Sequence, residues 1–199
     1  MQALWMVVAS FLFAAMGVCV KLAADTFSAP EIVFYRSAIS LLLMFGLMRL
    51  RGIGFATPNL RHQIFRGASG FVSLLMYFYA IAMLPLATAV TLNYTSPIFL
   101  ALYFAAFAGM RLRGGMIVAL VIGFVGVIVL LRPTLQAEQL LGGLIALGSG
   151  IVSGFAYFNV RELGARGEPE ARTVFYFSLF ATLCSAAWML LYEFHPVDL

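Results

Sequence analysis

Asn93-Tyr94-Thr95-Ser96-Pro97 interrupts an apolar run that otherwise extends from Leu86 to Phe107. An amide, a phenol and two hydroxyls stand in a row, and the proline after them carries no amide hydrogen. Its ring also crowds the carbonyl four residues back, so the C=O of Asn93 loses its helical donor. Groups of this kind either bind a polar solute or join helices, and inside hydrocarbon they persist only where protein or water satisfies them. Thr88, Thr91 and Thr95 recur at helical spacing beside the break. The pattern points to a cavity wall, with Thr91, Asn93, Tyr94, Thr95 and Ser96 on a solute path and Pro97 as the helix break.

Two further polar stripes cross apolar runs. Ser69, Ser73 and Tyr77 fall at i, i+4 and i+8, and Ser149, Ser153 and Tyr157 repeat that spacing beside Gly150 and Gly154. The glycines read as a site of close helix approach, whereas the hydroxyl stripes either line a cavity or tie helices together. Ser73, Tyr77, Ser153 and Tyr157 therefore join the path residues. Arg36 stands about a turn and a half past Glu31 inside another apolar run. A central arginine costs ~2.5 to 3.5 kcal/mol to insert. Arg36 is then either paired with Glu31 at the interface or a point of access for an anionic metabolite.

Chemistry of other kinds finds no footing in these residues. His62 and His195 lie outside the apolar runs, and no G-x-S-x-G is present, so a serine hydrolase would lack both base and nucleophile elbow. Lys21 ends the first run instead of sitting in the last. The acidic residues Asp25, Glu31, Glu138, Glu162, Glu168, Glu170, Glu193 and Asp198 fall in connections or near run ends. Cys19 and Cys184 have no C-x-x-C or histidine partner and read as buried packing residues. No metal site, no cofactor and no enzymatic activity is expected.

The elements that must position these side chains are helices in a bilayer. Of 199 residues, 63% are hydrophobic and 10% charged, which excludes a soluble domain. Seven apolar runs recur, Ala3 to Val20, Ile32 to Met48, Gly67 to Met83, Leu86 to Phe107, Gly114 to Leu131, Leu140 to Phe158 and Val174 to Leu191. Each nears the length that crosses a ~30 Å hydrocarbon core, and barrel strands would be shorter and alternating. The predicted fold is an all-α integral membrane protein with seven transmembrane helices. Ala3 to Val20 lacks a basic leader and reads as a retained first span.

Charge placement orients the spans. Arg49, Arg51, Arg61, Arg66, Arg111, Arg113, Arg161, Arg166 and Arg172 cluster in or beside the second, fourth and sixth connections, against Lys21 and Arg132 on the other side. This bias puts the amino terminus and the even connections in the cytoplasm, and the net charge of +4 needs no nucleic-acid partner to explain it. Leu84-Pro85 leaves the third and fourth spans as a tight hairpin.

An internal repeat appears at a shift of about 140 residues: Lys21 meets Arg161, Pro30-Glu31 meets Pro169-Glu170, and Val33-Phe34-Tyr35 meets Val174-Phe175-Tyr176. Five spans separate the copies, an odd number, so the second copy enters the bilayer inverted. Inverted repeats are the mark of alternating-access carriers, with a solute site between the halves.

Phe65-Arg66-Gly67, the hairpin Met83-Leu84-Pro85-Leu86-Ala87, the Asn93 to Pro97 run and the stretch from Gly123 to Pro133 resemble the EamA-type branch of the drug/metabolite transporter superfamily. The resemblance implies a ten-helix carrier of two inverted five-helix repeats, with both termini in the cytoplasm and a central cavity for small metabolites. Residues 3–133 would form the first repeat and 140–199 the first two helices of the second, a truncated form by this comparison. The sequence departs from the family where Gly109 is followed by Met110-Arg111 instead of a glutamate. The expected function is a small-metabolite carrier of the inner membrane, whose partners are lipid, its solute, and either a second copy or the missing carboxy-terminal helices. The alternative is a non-transporting seven-helix receptor or assembly subunit whose polar stripes serve packing.

Overall fold

A main chain inside an apolar run has no water to bond, so its N–H and C=O groups turn on themselves and the run becomes helical. A computed structural model describes residues 2–109, 114–131 and 137–192, and all regular structure among them is helical. The helices are α1 (Gln2–Ala23), α2 (Ala29–Leu50), α3 (Leu60–Met83), α4 (Leu86–Asn93), α5 (Ser96–Phe107), α6 (Gly114–Leu131), α7 (Ala137–Ala165) and α8 (Glu170–Tyr192). Among the described residues, five stretches are long and apolar enough to cross a membrane: Ala29–Leu50, Leu60–Met83, Leu86–Phe107, Leu140–Ala165 and Glu170–Leu191. The first and fifth expected spans are helical as α1 and α6, with the shorter apolar stretches Val7–Ala23 and Gly114–Gly126. Met110, Arg111, Arg113, Arg132, Pro133, His195 and Asp198 lie outside the described residues.

Helix ends are set by local chemistry more than by hydropathy. α2 begins with Glu31 Oε2 accepting from Ser28 N at 2.7 Å and from Ser28 Oγ at 2.9 Å, the reach-back half of a capping box. Gly167, at φ 76°, turns the chain out of α7, where a Cβ would be strained. At the far end of α3 the last carbonyls have no intrahelical donor. Lys21 supplies one, donating Nζ to the carbonyls of Ile81 at 2.7 Å, Ala82 at 3.2 Å and Leu84 at 3.1 Å. α3 starts at Leu60, not Gly67, and α7 runs to Ala165, past Phe158, because a helix continues through polar side chains at the interface.

α7 packs against α3, α4 and α5, and α8 packs against α2 and α3. Ser178 Oγ on α8 donates to Ser40 Oγ on α2 at 2.9 Å. The apolar core runs between these helices through Val33, Phe71, Phe78, Ile81, Leu84, Leu92, Ala146 and Ala181. α1 and α6 lie at the margin with apolar side chains exposed. Cys19, expected to be buried, is exposed on α1, while Cys184 is half-buried against the core. Hydropathy alone does not separate a lipid-facing position from a packed one.

One end of the bundle gathers the basic connections. Glu168, between α7 and α8, accepts from Thr57 Oγ1 at 2.5 Å, Asn59 Nδ2 at 3.0 Å and Arg172 Nη1 at 2.9 Å. Arg172 Nε donates to the Gly54 carbonyl at 2.9 Å, and Tyr176 OH to that of Phe55 at 3.0 Å. The connection after α2 and the connection before α8 are thus one hydrogen-bonded assembly. Burial alone would raise the Glu168 carboxyl, but these three donors and the Arg172 charge hold it below the ordinary carboxylate value.

Candidate functional site

The proline break takes the form that the main-chain chemistry requires. α4 ends at Asn93 and α5 begins at Ser96, with Pro97 in its first turn. Thr95 N bonds back three residues to Leu92 O at 3.2 Å, and Thr95 Oγ1 donates to the same carbonyl at 2.7 Å. Across the break the helix surface rotates, so Thr91 is exposed with its hydroxyl on Ala87 O, whereas Thr95 is buried. The threonines expected to share one face do not share it. Opposite the break α7 presents Gly150 and Gly154. A Cβ at Gly150 would lie 2.6 Å from Thr95 Oγ1 and 3.1 Å from Leu92 O; one at Gly154 would lie 2.9 Å from Phe99 Cβ and 3.0 Å from both Leu100 N and Ser96 O. The broken segment is seated directly on the α7 backbone.

Two of the serines expected on the path, Ser73 and Ser153, lie in interhelical hydrogen bonds. Ser73 Oγ on α3 donates to the Ser149 carbonyl at 3.0 Å and shares a short hydrogen bond with Ser153 Oγ. Asn93 Nδ2 donates to Ser149 Oγ at 2.9 Å, and Ser149 Oγ to Ala146 O at 2.6 Å. Ser73, Ser96, Ser149 and Ser153 are buried. This network joins α3, α4 and α7 across their contact.

The aromatic and cationic residues behave differently. Tyr94 and Tyr157 are 64% and 49% exposed, and Tyr77 is half-buried. Tyr77 lies within electrostatic reach of both of them. Tyr157 and Arg36 in turn lie within reach of Arg66, an arginine that sequence reasoning placed among the cytoplasmic charges. Arg66 Cζ stands 4.4 Å from the centroid of the Phe177 ring on α8, and a Cβ at Gly70 would collide with Nη1. The guanidinium therefore lies at the level of Gly70, ten residues along from Leu60. Within the apolar run that begins at Gly67, this is three residues in, about 5 Å at ~1.5 Å per residue. Its Nε and Nη1 are buried without an acceptor. The overlooked signal was the glycine one turn after Arg66, which leaves room for a long side chain to fold inward.

Arg36 is half-buried and not paired with Glu31, whose carboxylate caps α2 instead. The ion pairs among the described residues are Arg166–Glu162 at 3.7 Å and Arg172–Glu168 at 2.9 Å, both at the basic end. A cavity of about 350 Å³ opens at that end between α3, α5 and α7, lined by Arg61, His62, Phe107, Phe155, Asn159 and Glu162 among others. Arg36, Arg66, Tyr157, Tyr77 and Tyr94, from α2, α3, α7 and the α4–α5 break, are linked in this way into a chain of electrostatic contacts.

Residues 1–132 match the EamA-like transporter family. The chain is 36% identical over 183 residues to the pseudopaline exporter CntI of Pseudomonas aeruginosa, a match covering 92% of this chain and 64% of that protein. It is 30% identical over 158 residues to an uncharacterised transporter of Helicobacter pylori, covering 78% of this chain and 53% of the relative. The chain thus spans less than two thirds of the length of the curated relatives it matches. One solved crystal structure superposes with a TM-score of 0.65 at 20% identity, covering 91% of this chain and 64% of that one, a likeness of fold.

Proposed function

The chain belongs to the EamA-like transporter family, and from that membership we propose that it serves as a multi-pass carrier moving a small organic metabolite across the inner membrane by alternating access. The observation that carries this reading is that Arg66, buried with donors that have no acceptor, lies within electrostatic reach of Arg36 and Tyr157, and Tyr77 within reach of Tyr94 and Tyr157, in helices that are otherwise apolar. Ionisable groups there are costly and are retained where they face a solute or a partner. In the proposal, residues 3–133 are a five-helix repeat and 140–199 belong to an inverted second one, with the solute between them. Seven spans and a cytoplasmic amino terminus follow from the same scheme. The collection of Arg49, Arg51, Arg161, Arg166 and Arg172 about one hydrogen-bonded end supports that end as cytoplasmic.

The packing network of Ser73, Asn93, Ser149 and Ser153 favours, for those residues, the second reading in which polar stripes hold helices together. It leaves the tyrosines and arginines for the solute. Membrane vesicles carrying the chain together with the helices that complete the second repeat, and loaded with a host metabolite extract, test the carrier. At least one metabolite should leave faster than from vesicles lacking the chain. Identical release profiles, with the protein confirmed in the membrane, would refute the carrier and leave the receptor or assembly subunit.

A further inference from the structure

We infer that Arg66, seconded by Arg36, is the anion-recognising element of the site, and that the solute is a small organic carboxylate. The inference rests on the carrier reading and names its substrate class. Four observations converge on it. Two donor atoms of Arg66 are buried with no acceptor, in a residue whose charge is permanent. The guanidinium lies over Phe177, with Cζ 4.4 Å from the ring centroid, a contact that favours the cation without satisfying its N–H donors. Gly70 leaves the guanidinium its place, since a Cβ there would collide with Nη1 and lie 2.9 Å from the Phe177 ring. No described carboxylate is within ion-pair distance of Arg36 or Arg66; Glu162 and Glu168 are engaged at the basic end and Glu31 in the α2 cap.

Two like charges facing one apolar region repel each other and lack the hydration that water would give. An anion arriving between them removes both penalties at once. A planar guanidinium on an aromatic ring matches a planar carboxylate through two parallel N–H···O bonds, which an ammonium cannot reproduce.

The test is equilibrium binding to the full chain in phosphatidylcholine nanodiscs, read as the ligand-induced shift in thermal midpoint at constant ionic strength. Succinate and citrate are the probes, and succinamide is the uncharged control. Either acid should raise the midpoint saturably and succinamide should not. Arg66→Met should abolish the shift while leaving the ligand-free midpoint unchanged or higher, because an apolar side chain replaces an unpaired charge. Arg66→Lys should weaken binding at least tenfold, and Arg51→Gln, at the exposed end of α2, should bind as wild type. A shift with neither acid, an undiminished shift in Arg66→Met, or a fall in its ligand-free midpoint would overturn the inference. So would loss of the shift when phosphatidylglycerol replaces phosphatidylcholine, which would make the occupant a lipid headgroup. Binding needs no turnover, so vesicles that still release a neutral metabolite without any acid-induced shift would remove the anion site and keep the carrier. A shift without release would do the reverse.

Discussion

Gly154→Ala probes how tightly the broken helix sits on α7. The new methyl would come within 2.9 Å of Phe99 Cβ and 3.0 Å of Leu100 N and Ser96 O. Normal carbon contacts begin near 3.5 Å, so relief requires a shift of about half an ångström. Two of these three atoms are main chain in α5, and no rotamer change can move them. The helix must slide, and overpacking of this kind costs about 1 to 3 kcal/mol. At Gly150 the nearest atom is the Thr95 hydroxyl, which can turn away, but Leu92 O at 3.1 Å cannot. Gly150→Ala should therefore fall at the lower end of the range. Gly46 on α2 has nothing within 4 Å of its Cβ position, and Gly46→Ala should be neutral or stabilise by up to about 1 kcal/mol. Thermal or denaturant unfolding in one detergent should rank the variants Gly46→Ala above Gly150→Ala above Gly154→Ala. Equal stability of Gly154→Ala and Gly46→Ala would show that α5 does not rest on α7.

Asn93→Ala removes one interhelical bond to Ser149 and should cost less than about 2 kcal/mol, measured by the same unfolding; a larger loss would mean that Asn93 holds more than this contact. Glu168 is charged in the folded state to a lower pH than in the unfolded chain, so its stabilisation is complete above the ordinary carboxylate value and disappears as pH falls through the lowered one. Glu168→Gln should cost about 1.5 to 3 kcal/mol at neutral pH and flatten that acid limb, and an unchanged limb in a pH series of unfolding would refute the assignment. With Cys19 and Cys184 replaced, Asp25→Cys should react with an impermeant thiol reagent on intact cells and Ala56→Cys should not. The opposite pattern would invert the proposed orientation.

Helix positions were legible because hydrocarbon leaves the backbone one solution, and the break was legible because Pro97 deletes a specific donor. Helix ends were less so: Arg61, His62 and Gln63 interrupt the apolar signal before Gly67, yet the main chain is already helical there. The Ser28-x-x-Glu31 spacing contained the cap that takes Glu31 from Arg36, a local competitor for that carboxylate. Polar stripes at helical spacing were visible as stripes, but their use depends on what faces them. Ser73 and Ser153 meet each other, whereas Tyr77, four residues beyond Ser73, belongs to the other group. Arg66 reads in the sequence only as a charge beside the second connection, and its contact with Phe177 is foreshadowed there only by the absent Cβ of Gly70.

The serine network also sets a schedule for synthesis. Ser73 finds its partners 76 and 80 residues later in the chain, and Asn93 finds Ser149 after 56. At ~5 to 20 residues per second of translation, α3 waits about 4 to 16 s for α7 to emerge. A serine can spend that interval folded onto its own helix, as Ser69 does on the Phe65 carbonyl at 2.6 Å. Asn93, with a two-donor amide beside a carbonyl that Pro97 has orphaned, is less easily self-satisfied. Of the residues in this contact, it is the one most exposed to premature pairing with a neighbouring nascent chain or to capture by an insertion chaperone.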